Sequence, residues 1–187
     1  MKFKKIIKIK SNLNKLKKHG RGVICGLNTQ FRLPQYISIG KNVNLGDYSL
    51  FFCWDEYAGK KLAPALIIKD GVKITRNCTV YCTNKIEIGK NVLIASNVLI
   101  TDENHGMDPE SGPYIEQPLL NSEVIIGDDV WIGEQCCVLP GAKIGKKSIV
   151  GANSVVNKEI PAYCIAAGNP AKVIKIWDSE KKLWRKI

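Results

Sequence analysis

Residues 101–106 read Thr-Asp-Glu-Asn-His-Gly and hold one of the chain's two histidines. A neutral imidazole, with an unperturbed pKa near ~6.5, takes up and returns protons around pH 7, which is the work of a general base. Asp102 and Asn104 flank His105 with groups able to hydrogen-bond a polar substrate. The Asp102 carboxylate, or a backbone carbonyl of the residues that follow, could also hold the second ring nitrogen. A lone histidine is more often a hydrogen-bonded surface or core residue, so position must decide. His19 sits among lysines with no such company and is assigned no role.

The other reactive side chains form no comparable group. Seven cysteines stand at 25, 53, 78, 82, 136, 137 and 164, an odd number without a CxxC pair. They read as small apolar residues of a reducing compartment, not as a disulfide framework. Two histidines, one of them in a lysine-rich stretch, and no ligand-like spacing of thiols or carboxylates argue against a metal site.

The elements that position His105 show themselves as a six-residue rhythm. From Ile126 the blocks are IGDDVW, IGEQCC, VLPGAK, IGKKSI, VGANSV and VNKEIP, each starting with Ile or Val. The fifth position is mostly small, and the second is often glycine. A helix recurs at 3.6 residues and a strand at two, so neither explains a six-residue period. A repeat this short marks a parallel β-solenoid. The aliphatic residue points to the axis, the small fifth residue fills the narrow interior, and glycine is expected to relax the bend. The rhythm also runs from Leu27, Leu33, Ile39 and Leu45, from Ile68, Ile74 and Val80, and from Ile88. That last run ends on ITDENH. Asn104 and His105 therefore take the fifth and sixth positions of a block.

The breaks are informative too. Residues 51–65 interrupt the rhythm and read as an inserted loop, and between Val80 and Ile88 the phase slips by two. The stretch 106–124, with three prolines, begins immediately after His105 and reads as a loop thrown out from the wall, a length that is usually functional or disordered. Residues 178–187 are expected to form a short helical cap presenting Leu183, which would protect the open end of the solenoid.

Charge divides the chain into an arm and a body. Residues 1–21 carry nine basic side chains and no acidic one, whereas the rest is nearly neutral, within a net charge of +11. In the arm, residues 1–20, Ile6, Ile9, Leu13 and Leu16 are spaced like one helix face. Such a helix would either dock peripherally on an anionic membrane or pack on the body with its lysines in solvent. No apolar run reaches the ~18–20 residues of a membrane span, and the start lacks the apolar core of a secretory signal. A cytoplasmic protein is expected. The body, residues 21–177, has neither the basic stripe nor the aromatic interleaving of nucleic-acid readers.

The string VWIGEQCCVLPGAKIGKKSIVGANSVVNKEIPAYCIAAGNPAKVIK, with the Asn-His pair and the loop after it, resembles the hexapeptide-repeat acyltransferases of the galactoside, maltose and bacterial polysaccharide O-acetyltransferase group. The resemblance spans roughly residues 67–177. It implies an all-β, left-handed parallel β-helix of three blocks per coil, and a homotrimer with active sites between subunits. It also implies acetyl-CoA as co-substrate and His105 as the base that deprotonates an acceptor hydroxyl. The same fold includes zinc-dependent carbonic anhydrases, but these use three histidines and this chain has two. For the cofactor, the matching positions are Trp131 beside the pantetheine arm, Glu134 through its backbone, Ala152, Asn157 and Lys158 along the pantetheine and phosphates, and Lys172 and Lys175 near the nucleotide. Backbone N–H groups near Gly133 and Glu134 would steady the oxyanion. Tyr81, Asn84, Asp102 and Asn104 are the acceptor-side candidates.

The expected activity is transfer of an acetyl group from acetyl-CoA to a sugar hydroxyl in surface polysaccharide or lipopolysaccharide synthesis. Alternatives are N-acetylation of an amino sugar, acetylation of an antibiotic, and a non-catalytic solenoid scaffold. A scaffold would need regular walls but neither a histidine nor a protruding loop.

Overall fold

In a computed structural model describing residues 13–187, the six-residue rhythm becomes three flat parallel walls. Wall A stacks seven strands, Lys18–His19, Ile37–Ile39, Ala65–Ile68, Lys85–Ile88, Val124–Ile126, Lys143–Ile144 and Glu159–Ile160. Wall B begins with Ile24–Cys25 and runs through Trp131–Ile132 to Cys164–Ala167, and wall C runs from Gln30–Arg32 to Val155–Val156. The chain visits A, B and C in turn, so each coil has three edges, here called A–B, B–C and C–A.

Parallel pairing in constant register puts like on like. Ile39, Ile68, Ile88, Ile126, Ile144 and Ile160 form one file down wall A, all essentially buried. Each such side chain contributes roughly 1.5–3 kcal/mol by leaving water. Fifth positions are also buried: Val130, Cys136, Ala142, Ser148 and Ser154. The serines do more than fill space. Ser148 Oγ donates to the Pro161 carbonyl at 2.7 Å and accepts from Cys164 N–H at 3.2 Å, while Ser154 Oγ accepts from Gly168 N–H at 3.0 Å. Six of the seven cysteines are buried and all are free. Burial pushes the Cys25 thiol up to about 11 and that of Cys78 up to about 12, so neither is reactive near pH 7.

The glycines serve a purpose other than the expected one. A Cβ on Gly127 would lie 2.7 Å from Lys146 N, and on Gly145 2.2 Å from Ala162 N. They let one coil approach the next. The left-handed bend falls instead on the fourth residue of the block, as at Asn42, Asn91, Asp129 and Asn153, with φ between 54° and 59°. Short polar side chains tolerate that region best.

Several boundaries differ from the sequence reading. In the first coil the inward residues are Cys25 and Phe31, in register with Leu45 and Phe51; Leu27 is 38% exposed. The 3-10 turn Pro34–Tyr36, entered through Leu33 in the left-handed region, causes the offset. Residues 51–53 belong to wall C, with Phe51 and Cys53 fully buried. The insertion therefore starts at Trp54, and it folds as a hairpin of Glu56–Tyr57 against Lys60–Lys61.

The basic arm yields to wall A by Lys18, and Leu13 and Leu16 are buried against the first coil. Ile6 and Ile9 lie outside the described residues. The expected C-terminal helix is absent. Lys172–Asp178 returns antiparallel on Cys164–Ala167, and Leu183–Lys186 returns on it in turn. The stretch KVIKIWD alternates with period two, and Trp177 faces Trp184 with ring centroids 5.3 Å apart, a cross-strand pair that favours a hairpin.

Candidate active site

His105 leaves the solenoid at the C–A edge, where both insertions also leave. The second excursion starts at Asp102, earlier than the sequence suggests, and is ordered. Glu103–Asn104 pairs antiparallel with Leu120–Asn121, and Ser122 N–H donates to the Asp102 carbonyl at 2.8 Å. Gln117, buried at the loop's centre, accepts from Asp108 N–H at 3.1 Å and donates to the carbonyls of Asp108 and Gly112 at 2.9 and 2.8 Å. A loop braced in this way holds His105 at a fixed distance from the wall.

Asp102 plays neither role expected of it. Its carboxylate is fully buried and accepts from Thr83 N–H at 2.8 Å, Thr83 Oγ1 at 3.0 Å and Asn84 N–H at 2.9 Å. It can reach neither a sugar nor the imidazole, and it ties the preceding coil to the start of the loop. The partner of His105 is Tyr57, on the inserted hairpin. Tyr57 Oη lies 3.1 Å from His105 Nδ1 and 2.6 Å from the Ile115 carbonyl, with ring centroids 5.4 Å apart at 61°. A phenol has one hydrogen, and a carbonyl can only accept, so that hydrogen belongs to the Ile115 bond. Tyr57 Oη must therefore accept from Nδ1–H, and the His105 lone pair stands on Nε2. Sequence reasoning had no pairing signal for a residue on the other insertion; the interruption itself was the only clue.

Glu103 was also missed. Burial pushes its carboxyl above the usual range, while nearby His105 pulls it back. An aromatic group lines the same edge. Tyr81 stacks with Phe52 at 6.3 Å and meets Trp54 edge-on at 5.1 Å, and Arg32 lies 4.9 Å over the Trp54 ring. Asn84 is half-buried beside Thr83, and Asn104 is exposed on the ribbon next to His105.

The donor-side positions fall into two sets. Trp131, 48% exposed on the outer face of wall B, belongs with Glu134 and Ala152 on the B–C edge and with Lys172 and Lys175 on the strand that prolongs wall B. Asn157 and Lys158 are exposed on the C–A edge, the edge of His105. Within one copy a whole wall separates the sets. Gly133 N–H donates to the Val150 carbonyl at 2.8 Å, so it cannot also serve an oxyanion. Among the described residues no group of three or more His, Cys, Asp or Glu side chains could hold a metal ion.

Comparison with known proteins bears on the family and the fold. Residues 123–158 match the family described as bacterial transferase hexapeptide (six repeats). The chain is 39% identical over 166 residues to WbbJ of Escherichia coli K12, named as a lipopolysaccharide biosynthesis O-acetyl transferase, covering 83% of this chain and 82% of that one. A maltose O-acetyltransferase from Clostridium difficile 630 superposes with TM-score 0.63 and 28% identity, over 92% of this chain and 75% of the other. The N-acyltransferase AntD from Bacillus cereus, solved with coenzyme A and dTDP-4-amino-4,6-dideoxyglucose, superposes with TM-score 0.75, over 93% of this chain and 91% of AntD. At 22% identity that likeness concerns the fold. The chain belongs to the hexapeptide-repeat acyltransferases, and its coil is their left-handed parallel β-helix.

Proposed function

We propose that the chain transfers an acetyl group from acetyl-CoA to a sugar hydroxyl in the making of a surface polysaccharide or lipopolysaccharide, with His105 as general base. The observation that carries the reading is a histidine whose Nδ1 is held by Tyr57 while its Nε2 meets no hydrogen-bond partner among the described residues. A thioester needs little activation because thiolate leaves readily; a sugar hydroxyl is a poor nucleophile until its proton is being removed. His105 Nε2 takes that proton as the oxygen attacks the thioester carbonyl. When the carbon–sulfur bond breaks, Nε2–H returns the proton to the departing sulfur. Such assistance typically contributes ~10²–10⁴-fold. Tyr81, Asn84 and Asn104 line the edge where the acceptor would approach, and the Trp54 and Phe52 rings extend it. Lipopolysaccharide as destination follows WbbJ's name and the chain's similarity to WbbJ over most of both proteins.

The active enzyme in this reading is a homotrimer. The two donor-side sets meet only if a second copy brings its B–C edge, with Trp131, Glu134 and Ala152, against the C–A edge carrying His105, Asn157 and Lys158. Lys172 and Lys175 would then flank the phosphates as point charges. The exposed apolar side chains of the loop, Met107, Tyr114, Ile115 and Leu120, fit such a contact. Among the described residues no helix is long and apolar enough to cross a membrane.

The test is thiol release from acetyl-CoA against a panel of sugars, amino sugars and antibiotics. His105→Ala should lower kcat on the best acceptor by about 10²–10⁴-fold while the protein still binds coenzyme A. An unchanged rate would remove His105 as the base. Release with an amine but no hydroxyl acceptor would make the enzyme an N-acetyltransferase.

A further inference from the structure

We propose that Tyr57 is a positioning residue that selects the tautomer of His105, so that the inserted hairpin is a working part of the active site. The role rests on reading His105 as the base, but the tautomer itself does not. A free histidine side chain prefers the proton on Nε2, where the lone pair needed for catalysis would be lost. The chain 48 residues earlier supplies the remedy. Tyr57 Oη is turned by its bond to the Ile115 carbonyl, at 2.6 Å, so that only its lone pairs face Nδ1. The proton then belongs on Nδ1, and Nε2 is left open.

Three elements share this arrangement. The hairpin supplies the phenol, the second insertion supplies both the carbonyl and the imidazole, and wall C supplies the base on which they stand. The hairpin is itself fixed: Tyr36 Oη donates to Asp55 Oδ2 at 3.0 Å, Trp54 N–H to the Cys82 carbonyl at 3.0 Å, and Leu62 N–H to the Asp55 carbonyl at 2.8 Å. Tyr57 meets the ring at Nδ1, not at the Nε2 assigned to the reaction. It acts through His105, much as a buried carboxylate orients the histidine of a serine hydrolase. A neutral phenol does this without adding a charge that would make the imidazole a stronger base. The charged group near the ring is instead Glu103, whose own carboxyl is pushed up by burial.

The chain's two histidines make the test direct, since a ¹⁵N-histidine spectrum contains only two rings. His105→Gln assigns the His105 signals. In its neutral form the wild-type ring should show a pyrrole-type Nδ1 and a pyridine-type Nε2. In Tyr57→Phe, which keeps the ring and loses only the hydroxyl, the pattern should move toward Nε2–H. The kcat should fall by about 10²-fold with little change in KM for either substrate. Thermal melting within a few degrees of wild type shows that the variant is folded. A wild-type His105 protonated on Nε2, or a Tyr57→Phe protein with unaltered tautomer and rate, overturns the proposal. Should Tyr57→Phe fail to fold, the wild-type spectrum still decides. The expected tautomer together with full activity in His105→Gln would leave the positioning intact while removing the base.

Discussion

Asp102 and Tyr57 exchange the roles their residue types suggest. The carboxylate, beside the histidine in sequence, is locked into the wall, and the phenol from a remote hairpin meets the ring. Asp102→Ala would strand Thr83 N–H, Thr83 Oγ1 and Asn84 N–H, each having bonded to a charged acceptor. Bonds of that kind contribute about 1.5–3 kcal/mol each, so the variant should melt well below wild type and lose activity together with its fold. An acceptor ligand would behave otherwise, raising KM with an unchanged melting temperature, and the two measurements separate the cases. The position of His105 was legible because the rhythm stops on it. What orients it was not, since a hydrogen bond between two insertions leaves no periodic trace.

Beyond the first coil the walls were legible in register because a six-residue period has one solution in which the aliphatic residue opening each block is inside. The caps were harder. A lone Leu183 reads as a helix face, while the alternation in KVIKIWD and the facing Trp177 and Trp184 settle on a hairpin. Glycine in the repeat was legible in place but not in purpose. Gly145→Ala would drive a Cβ to 2.2 Å from the Ala162 backbone nitrogen, which no side-chain rotation relieves. Overpacking of this kind typically costs ~1–3 kcal/mol, and chemical denaturation should show a loss of that order.

The outer face of wall A carries a ladder of charges. Lys69 and Lys85 meet Glu87 at 2.6 and 3.6 Å, and Lys85 and Lys143 meet Glu123 at 3.5 and 3.6 Å. Lys69, its hydrogen-bonding partner, holds the Glu87 carboxyl below the usual carboxylate range. A depressed carboxylate contributes its stability above its unfolded value, near ~4.3, and loses it as pH falls through the folded value. The pairs are solvent-exposed enough that each should be worth only about 0.2–1 kcal/mol. Glu87→Gln should therefore shallow the fall in melting temperature on acidification from pH 6 to 3, and the difference should shrink in ~1 M salt.

At the scale of the whole molecule, the proposed donor-side residues fall on two different edges of the coil, so under that proposal catalysis should require association. Sedimentation should give a trimer, and activity per chain should fall on dilution as the trimer dissociates. Replacing the exposed Ile115 and Leu120 side chains by lysine should weaken the assembly, while leaving the Ile115 carbonyl that holds Tyr57 in place. Activity that stays constant in a demonstrably monomeric preparation would mean the halves do not need each other. The C-terminal hairpin extends wall B alone, and this has a metric consequence. Neighbouring strands lie ~4.8 Å apart, so the three steps from Trp131 to the strand bearing Lys172 and Lys175 cover about 14 Å along the axis. If Lys172 and Lys175 hold the phosphates as proposed, the solenoid would work as a ruler: the number of coils, and no single side chain, would fix how long an arm can stretch between a charged anchor and the reacting end.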